Sequence, residues 1–203
     1  MTKIKLCGLS RVCDIEAVNE AHPDYVGFVF ADSKRRITPQ DAFGLKELLD
    51  DKIQTVGVFV DETMEQILDI CSIGIVDFIQ LHGQENATYI ERLQKESGKP
   101  VIKAVRVRSR EDIKAAERLN CNYLLLDAFS EKSAGGTGET FDWKVVDTVQ
   151  KPFFLAGGLN SRNILQAMSA VKPFGVDISS GVETDGFKDR GKILEIVRLI
   201  RSV

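Results

Sequence analysis

Short apolar, β-branched runs alternate with longer amphipathic stretches from one end of the chain to the other, and this rhythm restricts the fold more than any other feature. The spacing predicts strands near 3–7, 25–30, 54–60, 77–81, 100–106, 122–127, 152–156 and 174–179. Their starts lie roughly 20–30 residues apart, the length of a strand-loop-helix repeat. Start signals mark the helices between them. Thr38-Pro39-Gln40-Asp41 offers a capping threonine, a proline at the first helical position and an acid in the first turn. Ser109-Arg110-Glu111-Asp112 resembles a capping box, and Asn160 is placed to cap the helix that follows residue 159. Met64, Ile67, Leu68 and Cys71 share one helical face, as do Ile193, Ile196, Val197 and Ile200.

Eight such units favour a closed (β/α)8 TIM barrel, an α/β fold, over an open doubly wound sheet, because closure leaves no strand edge to protect. At 203 residues, with no linker or low-complexity tract, the chain reads as one barrel domain over 1–203. The net charge of −3 argues against a general nucleic-acid grip, so an anionic ligand must be met by a local cluster of cations. No apolar run is long enough for a bilayer, and the N-terminus lacks the apolar stretch of a signal peptide. The four cysteines form no Cys-x-x-Cys pair and no zinc spacing with His22 or His82, so no metal site is expected. Free thiols with no export signal suit the reducing cytoplasm.

In barrels of this kind the chemistry sits at the C-terminal ends of the strands. The first strand ends in Cys7, which reads either as a nucleophile or base, or as a small buried hydrophobe. The sixth ends in Asp127 after an apolar run, either a partly desolvated acid or a cap of the next loop. Lys34-Arg35-Arg36, in the second loop, reads either as a solvated surface run or as an anion site on the active face of an otherwise acidic protein. His82 closes strand four and either faces the site or is structural. After strands seven and eight come Gly157 and Gly158, then Ser179, Ser180 and Gly181, in the two loops where barrels build phosphate sites. Gly135, Gly136, Thr137 and Gly138 read as a hinged lid or a surface loop.

These residues resemble the phosphoribosylanthranilate isomerase family over nearly the whole chain. The matching segments include Lys5-Leu6-Cys7-Gly8, Val26-Gly27-Phe28-Val29-Phe30, Ser33-Lys34-Arg35, Gln80-Leu81-His82-Gly83, Leu125-Leu126-Asp127, Gly135-Gly136-Thr137-Gly138, Gly157-Gly158-Leu159 and Asp177-Ile178-Ser179-Ser180-Gly181-Val182-Glu183. Leu6 stands where isoleucine is common, and Glu139 where a basic or neutral polar residue is common. The resemblance implies an Amadori rearrangement in tryptophan biosynthesis, with Cys7 as base and Asp127 as acid. It further implies Arg35 at the anthranilate, Gln80, His82 and Asp177 as substrate-binding residues, phosphate on the seventh and eighth loops, and no metal or organic cofactor. The expected partner is a small phosphosugar, with the chain a monomer or homodimer. A histidine-pathway isomerase barrel would call for an aspartate where Cys7 stands.

Overall fold

The structure is a computed structural model that describes residues 1–127, 146 and 149–203. Eight parallel strands form its centre: β1 (Lys3–Cys7), β2 (Tyr25–Val29), β3 (Gln54–Phe59), β4 (Phe78–Leu81), β5 (Val101–Arg106), β6 (Tyr123–Asp127), β7 (Phe153–Ala156) and β8 (Gly175–Ile178). They pair in sequence order, and β1 also pairs with β8, which closes the barrel. Every expected strand is present, trimmed at most by one residue at either end. The expected lid of Gly135, Gly136, Thr137 and Gly138, like Glu139, lies outside the described residues.

Among the described residues seven helices flank the strands: α1 (Val12–Ala21), α2 (Pro39–Glu47), α3 (Met64–Ser72), α4 (Ala87–Ser97), α5 (Arg110–Glu117), α6 (Ile164–Val171) and α7 (Arg190–Arg201). The Thr38 hydroxyl accepts from the Asp41 N–H at the start of α2, and Ser109 and Asp112 form the reciprocal capping box of α5. Asn160 is a correction. Its Oδ1 accepts from the Arg162 N–H within a turn, while Asn163 occupies the N-cap of α6. Ile193, Ile196, Val197 and Ile200 bury the inner face of α7, as their helical spacing requires. No helix among the described residues is long and apolar enough to cross a membrane.

Side chains alternate across each strand, so every second residue points into the barrel. The lower interior is a plug in which Tyr25 meets Phe78 and Phe154 edge-on, and Tyr123 tilts against Phe154 and Phe174. Above the plug the inward positions turn polar: Lys5 and Cys7 on β1, Gln80 on β4, Asp127 on β6 and Asp177 on β8. The floor is therefore packed with aromatic and apolar side chains, and the chemistry-bearing groups stand on it.

The sequence reading did not include the short antiparallel hairpin after β8. Strand β9 (Glu183–Thr184) turns back through Asp185 and Gly186 into β10 (Phe187–Lys188). The two turn residues have φ of 52° and 83°. An Asp-Gly pair in such a two-residue turn is the standard sequence mark of a hairpin, because both central residues need positive φ.

Candidate active site

A cavity of about 370 Å³ opens at the C-terminal mouth of the barrel. Cys7, Arg35, Gln80, His82, Asp127 and Asp177 all line it, and Gly157, Gly158, Ser179 and Ser180 form its β7–β8 side. Gly181 belongs to an adjoining cavity with Asn160, Ser161, Arg162 and Lys192. Ten of the eleven residues proposed from sequence within the described part thus converge on one space.

Cys7 ends β1 and is buried. Its register partner on β2 is Gly27, where a Cβ would stand 2.7 Å from the Cys7 sulfur. Glycine at that position leaves the room the thiol occupies. The Ser179 hydroxyl donates to the Cys7 carbonyl at 3.0 Å, tying the end of β1 to the loop after β8.

Beneath Cys7 lies Lys5, two residues earlier and on the same inward face. Its side chain is fully buried, and Nζ donates to Asp177 Oδ1 at 2.9 Å. Burial works against the ammonium, but Asp177 and Cys7 outweigh it and raise Lys5 above its ordinary value. For Cys7 burial is the largest influence and pushes the thiol up, while Lys5 and then Lys188 pull the other way. Arg35 is coupled to the thiol as well, since Cys7 helps to raise it.

His82 Nδ1 lies 3.3 Å from Gln80 Nε2, and His82 Nε2 is 3.9 Å from Asp127 Oδ2. The second separation is beyond a hydrogen bond. Burial lowers the His82 value despite Asp127 and Asp177 nearby, which keeps the ring neutral around neutral pH. Among the described residues, Gln80 Oε1 is buried without a hydrogen-bond partner. A buried acceptor without a partner, on the wall of a cavity, is open to a donor that enters it. Asp127 keeps a 22% exposed side chain at the mouth, so it is only partly removed from water.

Arg35 differs from the sequence expectation in one respect. Its fork is already engaged: Nε and Nη2 donate to the two Glu183 oxygens at 2.6 and 2.9 Å. Lys188 Nζ donates to Glu183 Oε1 at 2.7 Å and to the Ser179 carbonyl at 2.9 Å. Burial would raise the Glu183 carboxyl, but Arg35 and Lys188 hold it down at about 2. Arg35 therefore cannot offer that bidentate edge to a ligand carboxylate while Glu183 holds it. It brings charge and one wall of the cavity.

Residues 4–199 match the family model described as N-(5'phosphoribosyl)anthranilate (PRA) isomerase. The chain belongs to the phosphoribosylanthranilate isomerase family. A relative of that name from Endomicrobium trichonymphae is 47% identical over 203 residues and is matched over 100% of both chains. The phosphoribosyl anthranilate isomerase of Thermotoga maritima superposes with a TM-score of 0.91 at 36% identity, covering 100% of both chains. Another solved isomerase, in complex with reduced 1-(o-carboxyphenylamino)-1-deoxyribulose 5-phosphate, has a TM-score of 0.87 at 35% identity, again over 100% of both. The chain is an aldose–ketose isomerase of tryptophan biosynthesis.

Two parts of this isomerase's site were missed as functional residues by sequence reasoning. Lys5 had a readable sign: it shares the inward face with Cys7, and a lysine facing inward in an apolar strand needs a buried partner. Glu183 and Lys188 gave less warning, because what they hold is set by the hairpin that folds back over the second loop.

Proposed function

We infer that the chain converts N-(5-phosphoribosyl)anthranilate to 1-(2-carboxyphenylamino)-1-deoxyribulose 5-phosphate by an Amadori rearrangement, with Asp127 as general acid and Cys7 as general base. The observation that carries this reading is the placement of Cys7 and Asp127 on one cavity, between the small residues after β7 and β8 and the cation Arg35. Gly157 and Gly158 both have positive φ, 96° and 62°, which lets the backbone approach a phosphate closely. The relative solved with the reduced form of this product supports the ligand class.

Asp127, protonated, donates to the ribose ring oxygen as the C1–O bond breaks, and the anilino nitrogen's lone pair closes the C1–N double bond. The Cys7 thiolate then removes the proton from C2. The electrons of that C–H bond form the C1–C2 double bond, and those of the C–N double bond return to nitrogen. The resulting enolamine takes a proton at C1 and loses its hydroxyl proton to become the ketone. Phosphate held at one side and anthranilate beside Arg35 fix the sugar between acid and base, and much of the acceleration comes from that positioning. Asp177 and neutral His82 contact the substrate, and Gln80 Oε1 accepts from one of its donors. The working unit is one barrel domain over 1–203, as monomer or homodimer, with a small phosphosugar as its partner and free thiols suited to the cytoplasm.

The test is the loss of anthranilate-type fluorescence when purified protein is added to freshly made N-(5-phosphoribosyl)anthranilate, with the product identified by mass and by its ketone. Fast loss with that product is the expected result. A folded protein that leaves the substrate to decay at its spontaneous rate overturns the reading.

A further inference from the structure

We propose that Lys5 is a positioning residue for the isomerase reaction: a buried ammonium, fixed by Asp177, that favours the ionised form of the Cys7 sulfur. The proposal rests on the reading of Cys7 as the base.

The geometry begins with the pleat. Residues two apart in a strand share a face, so Lys5 stands one layer below Cys7 inside the barrel. Asp177 is the register partner of Lys5 on β8, and its carboxylate lies 2.9 Å from the ammonium. None of the Lys5 side chain reaches solvent. Removing an ammonium from water is expensive, and a buried ion pair rarely stabilises a protein more than apolar residues of the same volume would. Fold stability therefore gives little reason for a lysine here. Its reason lies in what it faces.

The charges around Cys7 come from three of the elements beside it and from its own strand. Strand β2 presents Gly27, which carries none. Strand β8 brings Asp177, which disfavours the thiolate. The hairpin brings Lys188, whose ammonium is shared with Glu183 and the Ser179 carbonyl. The loop after β2 brings Arg35, tied to that same Glu183. Lys5 shares the inward face of β1 with Cys7 and favours the thiolate, where Asp177 opposes it and is itself held by the Lys5 ammonium. The coupling runs both ways, because Cys7 helps to keep Lys5 charged. Asp177 then acts as the anchor that stops the lysine from shedding its proton in a dry interior.

The experiment follows the thiolate directly, through its ultraviolet absorption band as the difference between the protein and its Cys7→Ser variant across pH. Lys5→Met is expected to move the Cys7 midpoint to higher pH by about one unit or more, the scale on which a neighbouring opposite charge acts. The kcat/KM profile should move by the same amount, while Lys5→Arg, if folded, moves both less. An unchanged midpoint in folded Lys5→Met overturns the proposal. The unsubstituted protein offers a second test that needs no Lys5 variant. The Lys5 ε-carbon resonance should show an inflection at the Cys7 midpoint that vanishes in Cys7→Ser, and a shift with no such inflection overturns the proposal. Retained turnover in Cys7→Ser would instead remove the base assignment, so the two failures are distinguishable.

Discussion

Glu183 joins the second loop to the hairpin, and Glu183→Gln measures what that junction contributes. Its side chain is only 6% exposed and meets Arg35 and Lys188 at hydrogen-bond distance. The folded carboxyl is held at about 2, against an ordinary 4.5. That depression corresponds to roughly 3 kcal/mol of stability at neutral pH. The range found when one partner of a buried ion pair is deleted, about 3–5 kcal/mol, agrees. The sign follows from the direction of the shift. A carboxyl depressed in the folded state contributes fully above its unfolded value, 4.5, and loses that contribution as pH falls toward about 2. Urea unfolding of the two proteins should therefore differ by roughly 3 kcal/mol at neutral pH, with the gap shrinking steadily in acid. A gap under about 1 kcal/mol, the range of exposed surface pairs, would refute the reasoning. So would a gap that ignores acidification.

Three further outcomes follow from the site. Gly27→Ala places a Cβ 2.7 Å from the Cys7 sulfur, so the thiol must move. Turnover should fall about 10- to 100-fold while circular dichroism is retained. Burial raises the Cys7 thiol above its ordinary 9.0, so under the proposed role of the thiolate as base kcat/KM should climb with pH across the neutral and alkaline range. A profile flat through that range would contradict the role of a buried thiol. Gln80→Leu removes the buried, unpartnered Oε1 together with the Nε2 contact to His82, and should raise KM about tenfold if the acceptor meets a donor on the ligand.

Much of the fold was legible because one strand-then-helix rhythm repeats along the chain. Short apolar, β-branched runs placed the strands, and a period of 3.6 placed the faces of α3 and α7. Strand ends were legible for the same reason, and with them Cys7, His82 and Asp127, since a barrel presents those ends at one mouth. Caps depend on local chemistry and were read correctly at Thr38 and Ser109. At Asn160 the local chemistry is also a cap, but of a turn, with the helix begun three residues later by Asn163. The Asp185-Gly186 turn was visible in principle, but two-residue strands leave no alternating pattern to confirm it. The engagement of Arg35 by Glu183 was not visible at all. Those residues are 148 apart in sequence, and only the closed barrel and the hairpin together bring them to 2.6 Å. Charge runs on loops read as free cations until their partners are known.

The central claim is that Cys7 and Asp127 divide base and acid between them, and its most direct test is turnover of Cys7→Ala and Asp127→Ala beside the parent. Each variant should still be stabilised thermally by the reduced product analogue, which shows an intact cavity. Each should lose well over about 100-fold in turnover, the scale of general acid–base assistance. A variant that binds the analogue and turns over within about fivefold of the parent would contradict the assignment of that residue, being far short of the loss such assistance implies.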